Sequence, residues 1–289
     1  MDNNHLTIVE CPRDAMQGLS NFIDTDLKVD YINSLLKCNF DVLDMGSFVS
    51  PKAIHQMRDT AEVLKKINIS NTNTELLTII ANIKGAEEAI QFDEVSVLGF
   101  PLSVSNTFQI RNTNKTILES IGQLSVISDL CLSKNKKLVV YLSMGFGNPY
   151  GDDWHPELLG EYISNLTSKM KVDTIALSDT IGVATDTLVF DVFSSLLKNQ
   201  YKTELSAHLH VVPKNVEVIL DAAYRGGCRR FDGAIKGFGG CPMATDKLTG
   251  NMPTEKMLEW VVLKDIGTKV DMKAFELAYE FSSKIFNNG

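Results

Sequence analysis

Along this chain, short apolar runs of strand length alternate with longer stretches whose apolar positions recur every three to four residues. The short runs are residues 6–10, 42–45, 76–81, 94–98, 137–142, 174–177, 204–208 and 230–233. Several are continuously apolar, which suits strands covered on both faces, as in a parallel sheet. Between them the longer period predicts helices over 26–37, with Thr25 as N-cap, and over 51–66, with Pro51 near the start. Further helices are expected over 84–91, 116–134, 156–170, 185–198 and 214–225, and two more, 255–263 and 272–286, close the chain. Residues 11–18, 68–74 and 103–115 read as loops.

Eight strand–helix units follow one another without a linker or a shift in composition. They predict an α/β fold, a (β/α)8 TIM barrel in a single domain over 1–289, with the barrel at about 5–253 and additional C-terminal helices at about 254–289. A doubly wound open sheet is the alternative. It usually carries a glycine-rich phosphate loop after its first strand, and here that segment reads Cys11-Pro-Arg-Asp-Ala-Met-Gln-Gly18.

Composition narrows the function. The 289 residues are 44% hydrophobic, ample for a core, and the formal net charge is −8. An acidic chain without a long basic run argues against nucleic acid or an anionic membrane surface as partner, while leaving room for an anionic small substrate. The five cysteines (Cys11, Cys38, Cys131, Cys228, Cys241) are scattered and odd in number, which fits a reducing compartment. With no leader-like N-terminus and no apolar stretch of bilayer length, the expectation is a cytoplasmic protein.

His208-Leu209-His210 closes the seventh apolar run. On an extended strand, residues two apart face the same way, so both imidazoles can reach one ion. Taken alone, the pair reads more readily as one core histidine and one solvent-facing one. The other strand ends change that balance, because such barrels build their sites there. Arg13 and Asp14 follow the first run and Asp44 ends the second. Ser143 stands at the fifth, Ser178-Asp179-Thr180 at the sixth, and Lys236-Gly-Phe-Gly-Gly-Cys-Pro242 after the eighth, with Asn251 further on. Singly, Asp179 reads as a turn residue, Cys241 as a small buried side chain and Arg13–Asp14 as an ion pair. Together they gather charge on one rim, which burial penalises unless it is paired or bound to metal.

The inferred ligand set is Asp14, His208, His210 and a neutral oxygen, for which Asn251 is the candidate. Such a mixed N/O set suits Mg²⁺, Mn²⁺, Co²⁺ or Zn²⁺ without separating them. Arg13 is placed to stabilise an enolate or carboxylate, and Cys241, on a glycine-rich loop, to move a proton. The chemistry this describes is metal-assisted carbon–carbon bond making or breaking on an oxyacid.

These residues resemble the 3-hydroxy-3-methylglutaryl-CoA lyases, within the wider group of barrel metallolyases and Claisen-type synthases. The resemblance runs over nearly the whole chain: Pro12-Arg-Asp14 with Gln17; Ser47-Phe-Val-Ser-Pro-Lys52 with Gln56-Met57 and Asp59; Ser103, Ser105, Phe108, Asn112 and Asn114; Gly147-x-Pro-Tyr150; Ser178-Asp-Thr-Ile-Gly182; His208-x-His210; and Gly239-Gly-Cys-Pro242 leading to Thr249-Gly-Asn251. It implies metal ligation by Asp14, His208, His210 and Asn251, with Mg²⁺ or Mn²⁺ ahead of Zn²⁺ or Co²⁺. It implies catalysis by Arg13, Cys241, Asp179, Asp44 and His208, and substrate contacts from Arg13, Gln17 and Ser143. The implied reaction cleaves 3-hydroxy-3-methylglutaryl-CoA to acetyl-CoA and acetoacetate, as in leucine degradation and ketone-body formation. The implied partners are an acyl-CoA substrate and a second copy of the chain in a homodimer.

The chain departs from the family pattern in several places. Cys11 and Ala15 stand where glycine is usual, Met16 replaces Leu, Asp44 replaces Glu, and Asn106 replaces an acid. Val211-Val-Pro-Lys214 replaces Asp-x-x-Gly after the histidine pair, removing a carboxylate that would orient a ligating imidazole. A lyase for a related 3-hydroxy-carboxylate, a synthase running the reverse condensation, and a non-catalytic barrel scaffold are the competing readings.

Overall fold

The structure, a computed structural model, describes residues 5–240 and 249–286. Eight strands close into a barrel in sequence order, every neighbouring pair parallel, with β8 returning to β1. The strands are β1 (Thr7–Glu10), β2 (Val42–Ser47), β3 (Glu75–Ile79), β4 (Val95–Ser103), β5 (Lys137–Ser143), β6 (Thr174–Asp179), β7 (Glu204–Leu209) and β8 (Arg230–Gly233). The helices are α1 (Pro12–Gln17), α2 (Thr25–Leu36), α3 (Thr60–Lys66), α4 (Ile83–Ala89), α5 (Asn106–Thr113), α6 (Ile117–Ser133), α7 (Pro156–Lys169), α8 (Asp186–Leu196), α9 (Val216–Arg225), α10 (Thr254–Leu263) and α11 (Met272–Phe286). Buried side chains such as Ile8, Leu43, Leu98, Val140 and Phe231 fill the space in and around the sheet.

Local chemistry explains where the helices begin. Thr116 and Glu119 form a reciprocal capping box on α6. Asn82, Ser105 and Thr185 each accept an N-terminal backbone N–H. Pro12 and Pro156 open α1 and α7, where a missing N–H leaves no bond unmade.

Five expectations are corrected. The cap of α2 is Asp24, whose Oδ1 accepts from Asp26 N, and Thr25 lies inside the helix with its hydroxyl on Asp59. The expected helix over 51–66 is interrupted by a short 3₁₀ turn at His55–Met57, and α3 starts only at Thr60. Buried Gln56 explains the break: its side chain bonds Ile23 N and Asn21 O, and its own carbonyl accepts from Lys28 Nζ. Residues 11–18 contain α1 rather than a loop, and the polar stretch 103–115 contains α5. Finally, β4 runs on through Pro101 to Ser103, pairing fully with β5.

Candidate active site

Asp14, His208 and His210 meet at the C-terminal rim of the barrel. One donor atom from each lies within 4.8 Å of the others. They arrive from separate elements: Asp14 from the first turn of α1, His208 from β7, and His210 from just beyond it, where it bridges to Asn251. The histidine rings stand 5.5 Å apart. His210 Nδ1 is 3.0 Å from Thr180 O, which sets that nitrogen as the N–H donor. Its Nε2 is buried with no hydrogen-bond partner. Burial holds the His210 pKa down at about 4, so the ring is neutral and Nε2 keeps its lone pair.

His208 is oriented by a carboxylate that sequence reasoning passed over. Its Nδ1 is 3.1 Å from Asp232 Oδ2 on β8. Burial opposes the charged ring, but the Asp232 bond and charge, with Asp14, outweigh it and raise the His208 pKa. The signal available in the sequence was one acid inside a short barrel strand, a placement that burial penalises unless the acid is paired. Asp232 thus supplies from β8 the kind of imidazole-orienting carboxylate whose loss Val211 suggested.

Arg13 ties the rim together. Its Nε lies 3.0 and 3.2 Å from the two Asp44 carboxylate oxygens, and Nη2 also donates to Asp44. Nη1 donates to Asp14 Oδ1 at 2.8 Å and to Gln17 Oε1 at 2.9 Å. Gln17 Nε2 donates to the same Asp14 oxygen at 3.0 Å. Burial raises the Asp44 pKa to about 6 in spite of the adjacent guanidinium. Asp14 is held below the usual carboxylate range: burial alone would raise it, but Arg13, His208, His210 and the Asn251 bond prevail. Asn251 reaches Asp14 through its amide nitrogen, 2.6 Å from Oδ2, and the same nitrogen donates to Phe238 O.

Backbone geometry fixes the glycine loop here. Gly239 has φ +101°, and a Cβ on it would lie 2.4 Å from Asn251 Nδ2 and 2.9 Å from Asp14 O. Glycine alone permits that approach. Cys241, the expected proton-transfer residue, lies outside the described residues.

A cavity of about 350 Å³ opens at this rim. Arg13, Asp14, Gln17, Ser143, His208 and His210 supply part of its polar wall. Val49, Ile54, Ile79, Pro101, Phe108 and Tyr141 supply an apolar one. Asp44 and Asp179 are not among its lining residues. Asp179 is engaged elsewhere: Oδ1 accepts from the N–H groups of Ile181, Gly182 and Val183, and Oδ2 from Ala184. That is a turn-forming role, where direct catalysis was expected.

A neutral imidazole with an unpaired buried Nε2, a second imidazole fixed by a carboxylate, and an ionised carboxylate are donors that fit a divalent cation. The arrangement defines a barrel with a candidate cation site at the mouth of a mainly apolar cavity with a polar wall. The HMGL-like family model matches residues 7–281, and the chain belongs to that family. Human mitochondrial hydroxymethylglutaryl-CoA lyase is 31% identical over 277 residues, 96% of this chain and 84% of that protein. The rat enzyme named 3-hydroxy-3-methylglutaryl-CoA lyase, cytoplasmic, is 29% identical, covering 98% of this chain and 82% of its own. Among solved structures, an HMG-CoA lyase from Acinetobacter baumannii in complex with coenzyme A and 3-methylmalate superposes with a TM-score of 0.91 at 28% identity, over 99% of this chain and 93% of that one.

Proposed function

We propose that this chain is a divalent-cation-dependent carbon–carbon lyase that cleaves 3-hydroxy-3-methylglutaryl-CoA to acetyl-CoA and acetoacetate. The observation that carries the reading is the Asp14–His208–His210 triad beside the Arg13 guanidinium, at a cavity with one apolar wall. Asp14, His208, His210 and Asn251 would hold the cation, Mg²⁺ or Mn²⁺ ahead of Zn²⁺ or Co²⁺. When bound, the ion polarises oxygen donors of the substrate and anchors its carboxylate.

The remaining work falls to the chain's own side chains. Arg13, held rigid by Asp44, Asp14 and Gln17, offers positive charge where the thioester oxygen gains enolate character. Gln17 and Ser143 line the cavity as hydrogen-bonding groups for the substrate. Asp14 and His208 line it beside the cation site, where a base takes the tertiary hydroxyl proton. As that proton leaves, the hydroxyl carbon becomes the ketone of acetoacetate. The broken C–C bond's electrons pass to the thioester enolate, and Cys241 returns a proton to carbon. Asp44 acts through Arg13. Asp179 acts through the turn that presents Thr180 O to His210. Both are positioning residues in this reading.

An acyl-CoA substrate, a cytoplasmic setting and a homodimer belong to the same reading. A structural relative holds coenzyme A, and relatives named cytoplasmic support the compartment, beside others named mitochondrial. Exposed Val262, Leu263 and Leu277 on α10 and α11 support association through outer helices. The test of function compares the CoA thioester with its free acid. Turnover of the thioester alone supports the reading; turnover of the free acid alone contradicts it.

A further inference from the structure

Cys11 departs from the glycine usual in the family, and the structure shows what its side chain faces. It lies between β1 and α1, wholly buried. Its Sγ, a nitrogen of His208 and a carboxylate oxygen of Asp232 all lie within 4.8 Å of one another. Asp232 is 4% exposed, and its Oδ1 is buried with no hydrogen-bond partner. Neither Cys11 nor Asp232 lines the cavity, so this cluster sits on the side of His208 turned away from it. His208 therefore belongs to two donor triads. One, with Asp14 and His210, offers oxygen and nitrogen. The other offers sulfur, nitrogen and oxygen, a set that selects thiophilic ions.

We propose that Cys11, His208 and Asp232 form a second cation site that takes a thiophilic divalent ion, Zn²⁺ or Cd²⁺, and that filling it inhibits the enzyme. The ion takes the place of the Cys11 thiol proton, which passes to solvent, and of the His208 Nδ1 proton, which moves to Nε2. It also takes the Asp232 carboxylate from the imidazole. His208 then loses the bond that fixes its tautomer and direction toward the cavity. The inhibition rests on the proposed lyase function; the binding does not. A buried thiol is ordinarily a small apolar filler. Here its sulfur lies within 4.8 Å of an imidazole nitrogen and a carboxylate oxygen, which apolar filling does not require.

The test uses the full chain, stripped of metal by chelation and titrated with Co²⁺. Thiolate ligation gives a sulfur-to-cobalt charge-transfer band in the near ultraviolet, which imidazole, carboxylate and amide donors do not. Wild type and Cys241→Ser should both show the band, and Cys11→Ser should lose it. Cys11→Gly, which carries the family's usual residue, is the second variant should the serine form fail to fold. Cd²⁺ affinity, measured against a chromophoric chelator, should fall at least about tenfold without the thiolate ligand, while Mn²⁺ affinity changes less than about twofold. Cd²⁺ inhibition of Mn²⁺-supported turnover should weaken in parallel. A band that survives loss of Cys11, or no band in wild type at saturating Co²⁺, overturns the proposal. If the band follows Cys11 but no thioester is cleaved, the second site stands and the lyase reading fails.

Discussion

His208 and Asp232 are hydrogen-bonded across neighbouring strands, Nδ1 to Oδ2 at 3.1 Å, and this bond decides which nitrogen the imidazole presents to the cavity. Replacing Asp232 by Asn removes the charge and keeps the shape. Carboxylates that orient ligating histidines contribute about tenfold to a hundredfold to metal affinity. Asp232→Asn should therefore bind Mn²⁺ weaker by about that factor, read by electron paramagnetic resonance of free Mn²⁺. Unchanged Mn²⁺ affinity would remove Asp232 from the site.

Arg13 and Asp44 form a buried pair, with side chains about 8% and 0% exposed. Arg13→Gln leaves the Asp44 carboxylate buried beside no cation, and breaking such a pair costs roughly 3–5 kcal/mol. Adding Asp44→Asn should recover much of that loss in thermal or denaturant unfolding, since the orphaned charge is gone. Neither variant should recover turnover. Arg13→Lys keeps the charge but not the planar fork that serves Asp44, Asp14 and Gln17 together, and turnover should fall by about a hundredfold or more.

Cys241→Ala should lower turnover sharply with bound Mn²⁺ unchanged, because its assigned work is proton transfer and not ligation. Metal content and turnover measured on the same preparation check this. Full activity in Cys241→Ala would move the proton-transfer role to another group.

Glu10 links β1 to the segment after β8, accepting from Ile235 N at 2.9 Å and bonding Thr254 Oγ1. Burial raises its pKa from 4.5 to about 8, so the folded protein keeps a proton that the unfolded chain releases. Stability from this group is fully present below about pH 4.5 and is lost as pH rises toward and through 8. Glu10→Gln imitates the protonated form. Wild type should lose melting temperature between pH 6 and pH 9 more steeply than Glu10→Gln does. Parallel profiles would mean that Glu10 does not carry the dependence.

Much of the barrel was legible in the chain because most strands are buried on both faces and read as apolar runs; β8, Arg230-Phe-Asp-Gly233, is the exception. α1 and α5 were not, since Pro12 and the polar sequence of 106–113 resemble loop; their helicity comes from capping by Ser105 and packing on the rim. Asp14, His208 and His210 were legible as a set because strand ends converge in this architecture. Asp179 was ambiguous by nature: an acid after a strand can face a cavity or hold a turn, and only the positions of four backbone N–H groups decide it. Asp232 was hidden because its partner lies 24 residues away on the next strand.

The most direct test of the account is acetoacetate release from 3-hydroxy-3-methylglutaryl-CoA by chelated protein, before and after Mg²⁺ or Mn²⁺ is restored. The account predicts no release from the stripped protein and equal amounts of acetoacetate and acetyl-CoA once the ion is returned. Folded, metal-loaded protein that releases neither product would contradict it.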